Sequence, residues 1–197
     1  MELRSPQPTR ATIEEYLHLE STAREKHEYR DGKIVAMAGG TYEHSLIIMN
    51  VGASLHALLK GNPCRVLESN MRVRVPRMPL YVYPDLTVIC GKPQFDLQDT
   101  GRTTVINPRA IIEVLSDATE GYDRGEKFDR YRRLDSLEEY ILVSQTAPRV
   151  ESFVRAAQGM WLFNAVSGLE SKATLQSLHV ELVLAEVYAG VDFTAEA

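Results

Sequence analysis

The apolar positions of this chain recur with two periods, and the changes of period mark its predicted elements. From Ile13 to Arg24, the residues Ile13, Tyr16, Leu17 and Leu19 fall at helical spacing. Glu28-Tyr29-Arg30, Asp31-Gly32 and Lys33 to Ala38 read as a hairpin, since Asp-Gly accepts the two positive φ angles of a type I′ turn. Thr41 is placed to cap a helix from Tyr42 to Lys60, where Ile47, Ile48, Val51, Leu55, Leu58 and Leu59 repeat, and Gly61-Asn62-Pro63 ends it. Cys64 to Val75 alternates, with Val66, Met71, Val73 and Val75 on one face and Arg72 and Arg74 on the other. Tyr81 to Cys90 and Ala110 to Leu115 read as buried strands around a polar loop, Gly91 to Asn107. A charged helix follows from about Tyr122 to Leu134. Glu139 to Gln145, Arg149 to Arg155 and Trp161 to Val166 form a meander, and Leu182 to Tyr188 reads as a short terminal helix.

Strands, a helix, then more strands predict an α/β (mixed α+β) fold with a mixed sheet flanked by helices. With 197 residues and no repeat or linker-like stretch, one domain spanning 1–197 is expected. Hydrophobic residues at 44% and charged residues at 25% fit a globular protein with an ordinary core. No apolar run approaches the roughly 20 residues of a membrane span. The start, with Glu2, Arg4 and Pro6, lacks the apolar centre of a signal peptide, so a cytoplasmic location is expected. Cys64 and Cys90 have no Cys or His near them at ligand spacing, so neither zinc nor a structural disulfide is expected. The net charge of −5 disfavours strong nonspecific nucleic-acid binding, which runs on phosphate neutralisation.

Candidate chemistry sits in two strings. Pro84-Asp85-Leu86-Thr87-Val88-Ile89 and Ile111-Ile112-Glu113-Val114-Leu115-Ser116 each set one carboxylate inside an aliphatic run. A buried carboxylate needs a cation, a metal or strong donors, because desolvating it alone is prohibitive. Two such strands suggest a shared metal. Mg²⁺ keeps several waters and is satisfied by one or two carboxylates, and Mn²⁺ takes the same oxygen ligands. Lys127, on the following helix, adds a point charge for a phosphate. Asp123, Lys127 and Tyr131 are spaced by four and share a helix face.

The order Pro-Asp, Glu-Val-Leu-Ser, Asp-Arg-Gly-Glu-Lys and Tyr resembles a PD-(D/E)XK nuclease. More closely, the chain is similar to the Uma-type family of restriction-endonuclease-like proteins, from Glu15-Tyr16-Leu17 through Lys26-His27-Glu28-Tyr29 to Leu182. The resemblance implies a restriction-endonuclease-like core with the site at one sheet edge, and a divalent-metal-dependent endonuclease acting on DNA. Residue by residue, it implies Asp85 and Glu113 as ligands to Mg²⁺ or Mn²⁺, with the Val114 carbonyl as a third. The lysine expected two residues after the acid is Leu115 here, and Lys127 is the substitute. His44, in the first turn of its helix, falls where the superfamily often places a polar active-site residue. Glu28, Asp123 and Tyr131 are supporting candidates.

Plainer readings compete. Asp85 can turn to solvent after Pro84, Glu113 can sit in a structural ion pair, and Tyr131 can simply pack. Glu28 can anchor the hairpin. Arg72, Arg74, Arg124, Arg130, Arg132 and Arg133 can make a phosphate-facing rim or be solvated. His18, His27, His56 and His179 share no spacing and are assigned no chemistry. Two further functions fit the same chain: a nucleic-acid-binding module without turnover, and a homodimeric interaction protein joined through Thr104–Leu115 and Glu139–Val154.

Overall fold

The computed structural model describes residues 10–37, 39–116 and 119–193. The opening segment with Glu2, Arg4 and Pro6, and Ala38 at the end of the expected hairpin, lie outside the described residues. Helix α1 (Ile13–Thr22) starts on a capping box in which Thr12 accepts from the Glu15 N–H and Glu15 returns to the Thr12 N–H. Strands β1 (His27–Arg30) and β2 (Lys33–Ala36) pair through Asp31 and Gly32, at φ 51° and 86°, as a type I′ turn requires. Thr41 caps α2 (Tyr42–Leu58), and Ile47, Val51 and Leu55 line its buried face.

The expected strand from Cys64 to Val75 is two strands. β3 (Cys64–Glu68) and β4 (Arg72–Arg74) belong to different sheets and are separated by a turn closed by Met71 N–H on Glu68 O. The expected strand from Tyr81 to Cys90 also divides, into β5 (Leu80–Val82) and β6 (Leu86–Cys90). Pro84 has no N–H to give a ladder, so the chain leaves one sheet there and enters the other. Asp85 therefore stands at a junction between strands rather than inside one. The polar loop contains β7 (Thr104–Val105), a parallel neighbour of β4.

β8 (Ala110–Leu115) agrees with its predicted bounds. The helical stretch after it is α3 (Glu120–Tyr122), a π-helical turn Asp123–Lys127 and α4 (Phe128–Tyr131). The meander is β9 (Glu139–Ser144), β10 (Arg149–Arg155) and β11 (Trp161–Ser167). Beyond it, β12 (Lys172–Leu175) and β13 (Val180–Val183) make a hairpin that the pattern did not reveal. The expected terminal helix is only α5 (Leu184–Val187), because Leu182 and Val183 are already committed to strand pairing.

The strands order as β11-β10-β9-β8-β6-β3, as β2-β1-β5-β4-β7, and as the β12-β13 pair. The six-stranded sheet is mixed: β8 and β9 run parallel, and its other neighbours are antiparallel. One face packs on α2 and α5 through Ile47, Val51, Ile112, Val114, Ile141 and Leu184. The other packs on the helical stretch after β8 through Ile111, Leu115, Tyr131, Tyr140 and Leu142. Because β8 alternates, Glu113 lies on the second face between Ile111 and Leu115.

Three further expectations need correction. Cys64 and Cys90 are disulfide-bonded, since the antiparallel register of β3 and β6 sets them directly opposite each other. Strands β8, β9 and β10 are paired on both edges, so the segments offered for a dimer interface are largely interior. Arg72 is not on a solvated face: it is buried and bonded to Thr104, Thr103 and Asp99. Among the described residues, no helix is long and apolar enough to cross a membrane.

Candidate active site

The break at Pro84 builds the site. β6 begins at Leu86, opposite Ile112, so the strand leaves the end of β8 without a partner on that side. Asp85 fills the gap: its Oδ2 accepts the Val114 N–H at 2.7 Å, and its own N–H lies 3.4 Å from Glu113 Oε2. Two residues far apart in sequence thus hold each other across the seam between the sheets.

Glu113 is buried. Its Oε1 takes Lys127 Nζ at 2.7 Å and the Tyr131 hydroxyl at 3.1 Å. Lys127, also buried, reaches Asp123 Oδ1 at 3.2 Å. The π-helical turn from Asp123 to Lys127 widens the helix by one residue per turn, a feature common at functional sites, and both residues face the sheet. Burial pushes the Glu113 carboxyl well above its usual range, and Lys127 only partly offsets this while Asp85 and Asp123 add to it. Burial works against the charge on Lys127, but Glu113, Tyr131 and Asp123 outweigh it and hold the amine well above its ordinary value.

His44 enters from the other face. Thr41 accepts its backbone N–H, fixing the first turn of α2. Its Nε2 donates to the Val114 carbonyl at 3.1 Å and lies 3.4 Å from Asp85 Oδ2. The hydrogen bond to Asp85 raises the imidazole pKa against the effect of burial. Gly40 packs on the same ring, so a Cβ at that position would come within 2.5 Å of His44 Nδ1. Glu28 sits behind the junction, with the Tyr83 N–H 3.4 Å from its Oε1 and Arg30 bound to its Oε2. Arg30 in turn lies 4.0 Å over the Tyr122 ring.

The structure thus brings together Asp85, Glu113, Val114, Lys127, Asp123, Tyr131 and His44, with Glu28 at the margin. The arginine rim does not form. Arg74 pairs with Asp96, Arg124 with Glu120 and Glu151, Arg130 with Asp31 and Glu126, and Arg132 and Arg133 with Asp129. Sequence reasoning missed Gly40 and Arg30. Gly39-Gly40 four residues ahead of a candidate histidine, and the spacing of Glu28 and Arg30 on one strand, were the available signals.

Residues 13–187 match the family model Uma2, described as "Putative restriction endonuclease". The chain belongs to the Uma2 family. A Synechocystis protein designated slr1290 is 36% identical over 184 residues, covering 91% of this chain and 92% of its own. A second from the same organism, sll1609, is 34% identical over 157 residues, covering 80% and 88%. The crystal structure of a putative nuclease of the DUF820 group from Anabaena variabilis superposes with a TM-score of 0.69 at 15% identity, over 88% of this chain and 97% of that one. That likeness establishes a restriction-endonuclease-like fold for this Uma2 member. The seam between its sheets is where Asp85 and Glu113 meet.

Proposed function

We propose that this chain is a divalent-metal-dependent endonuclease that hydrolyses DNA phosphodiester bonds. The observation that carries the reading is the convergence of Asp85, Glu113 and Lys127 at the end of β8, with a local excess of negative charge. The four acidic groups Glu28, Asp85, Glu113 and Asp123 are met by three basic ones, Arg30, His44 and Lys127, and a divalent ion would add the positive charge this set favours. Among the described residues, no three His, Cys, Asp or Glu side chains close on one point as a ready metal cage. That donor set still fits Mg²⁺ or Mn²⁺, which need few protein ligands because they keep their waters.

Asp85, Glu113 and the Val114 carbonyl would hold the ion. A bound divalent ion supplies Lewis-acid charge withdrawal from the phosphoryl group and lowers the pKa of water. The protein's own residues do the rest. Lys127 keeps a positive charge beside Glu113, on the face of β8 where Leu115 cannot provide one. Asp123 holds that amine in place and Tyr131 donates to the Glu113 carboxylate. His44 spans Val114 and Asp85, where it can orient a water or a phosphate oxygen.

The test is incubation of the purified protein with supercoiled, linear and single-stranded DNA in Mg²⁺ or Mn²⁺. Cleavage by the wild type that disappears in Asp85→Ala and Glu113→Ala supports the assignment. No cleavage above those controls sinks it. A second reading, a nucleic-acid-binding module without turnover, draws on Leu115 at the usual lysine position. It is supported if DNA is bound but not cut, and if calorimetry finds no ion uptake that depends on Asp85 and Glu113.

A further inference from the structure

The six-stranded sheet ends in two different edges. β3, at one end, carries Arg65 and Glu68. In the five-stranded sheet, β2 opens on Lys33 and β7 is two residues long. Charges and short length are the ordinary protections of an edge against pairing with another chain. β11, at the other end of the six-stranded sheet, has neither. Its seven residues, Trp-Leu-Phe-Asn-Ala-Val-Ser, include no charge and no proline.

Apolar exposure concentrates at this edge. Of the nine large hydrophobic side chains exposed among the described residues, four are Met160, Leu162, Phe163 and Leu169. Leu162 and Phe163 are 57% and 56% exposed and point to opposite faces of the sheet, so the strand offers apolar contact on both sides. The strand is also held rigid from behind. Phe163 rests on Phe153 at 5.2 Å, and Trp161 meets Phe128 edge-on at 5.4 Å. A strand fixed in this way loses little conformational freedom when it pairs.

We propose that β11 is a homodimerisation strand, pairing antiparallel with β11 of a second copy about a two-fold axis at Asn164. The sequence of the strand complements itself in that register. Leu162 faces Val166 of the partner subunit, Phe163 faces Ala165 of the partner subunit, and the two Asn164 amides face each other. Large side chains meet small ones on both faces, and no charge is placed opposite a like charge. Since β12 and β13 carry Lys172 and Glu181, each copy has one such edge among the described residues, so pairing consumes it and closes the assembly as an isologous dimer. The two six-stranded sheets then run on as one. This interface depends on the sheet edge alone and is independent of any catalytic assignment.

The experiment is the mass of the full chain by light scattering after gel filtration, across the micromolar range. Wild type is expected at twice its 22.2 kDa chain mass. Asn164→Lys places two ammonium groups face to face at the axis, on a side chain exposed in the monomer. It is expected to weaken association at least tenfold while the circular dichroism spectrum stays unchanged. Asn164→Cys, mildly oxidised, is expected to cross-link to itself on a non-reducing gel, since directly opposed residues bring their Cα atoms to about 4.5–5.5 Å. A wild type that stays at the chain mass overturns the proposal, as does a folded Asn164→Lys variant that remains fully dimeric. If Asn164→Lys does not fold, the cross-link decides: a dimer that does not cross-link through position 164 refutes the two-fold.

Discussion

Lys127 Nζ lies 2.7 Å from Glu113 Oε1, with both side chains buried on one face of the six-stranded sheet. The pair joins the central strand β8 to the helical stretch that follows it. Removing one partner leaves the other charge without compensation. Lys127→Met should therefore destabilise the protein by roughly 3–5 kcal/mol, the range for a broken buried pair. Uptake of a proton by Glu113, whose pKa is already raised, will moderate that loss. The double variant Lys127→Met/Glu113→Gln should be more stable than Lys127→Met alone, as measured by urea unfolding. Equal or lower stability of the double variant would show that the pair is not the main coupling.

His44 carries a pH signature. The hydrogen bond to Asp85, with its charge and the Val114 carbonyl, raises the folded-state pKa despite burial. Its stabilisation is thus fully present below the unfolded value of about 6.5 and is lost as pH rises through the folded value. In metal-free buffer, the stability advantage of wild type over His44→Gln should be greatest below pH ~6 and fade on the alkaline side. A difference independent of pH would show that the imidazole does not contribute as a cation.

Asp99 should behave in the opposite sense. Burial pushes its carboxyl up, but hydrogen bonds from Thr104 and Thr103 and the Arg72 guanidinium prevail and hold it at about 2. A depressed carboxylate stabilises the fold above its unfolded pKa, and that contribution is lost as pH falls through the folded one. Asp99→Asn should therefore cost stability at neutral pH, and the gap to wild type should narrow between about pH 4 and pH 2. Thermal unfolding across that window is the measurement. A constant gap would mean that packing, not charge, anchors the loop.

Gly40 and Gly39 make an internal comparison. A Cβ at Gly40 meets the His44 ring at 2.5 Å, whereas one at Gly39 meets nothing within 4 Å. Gly40→Ala should displace the imidazole and shift its ring resonances, and Gly39→Ala should leave them unchanged. Equal effects of the two substitutions would attribute the result to backbone stiffening in the loop.

Local pattern was enough to reveal much of this protein. β8 follows from six consecutive nonpolar-or-acidic positions, the β1–β2 turn from Asp31-Gly32, and the start of α2 from Thr41. The two carboxylates were visible because Glu113 interrupts an aliphatic run and Asp85 opens one after Pro84, although only Glu113 proves buried, and spacing by four put Asp123, Lys127 and Tyr131 on one face. These are near-neighbour properties, and periodicity reports them directly. What it could not report is which sheet a strand joins. The alternation from Cys64 to Val75 and the apolar run from Tyr81 to Cys90 each continue across a change of sheet. Only long-range pairing placed Asp85 against Val114, buried Arg72 among Thr103, Thr104 and Asp99, and set Cys64 opposite Cys90. Which edge remains open was likewise decided by the sheet order, since β11 reads like any other strand until its neighbours are known. Sequence by itself determined helices α1 and α2, the β1–β2 hairpin, β8 and the β9–β11 meander, with the charged residues inside them. The tertiary structure decided which of those charges meet, because that depends on register between segments far apart in the chain.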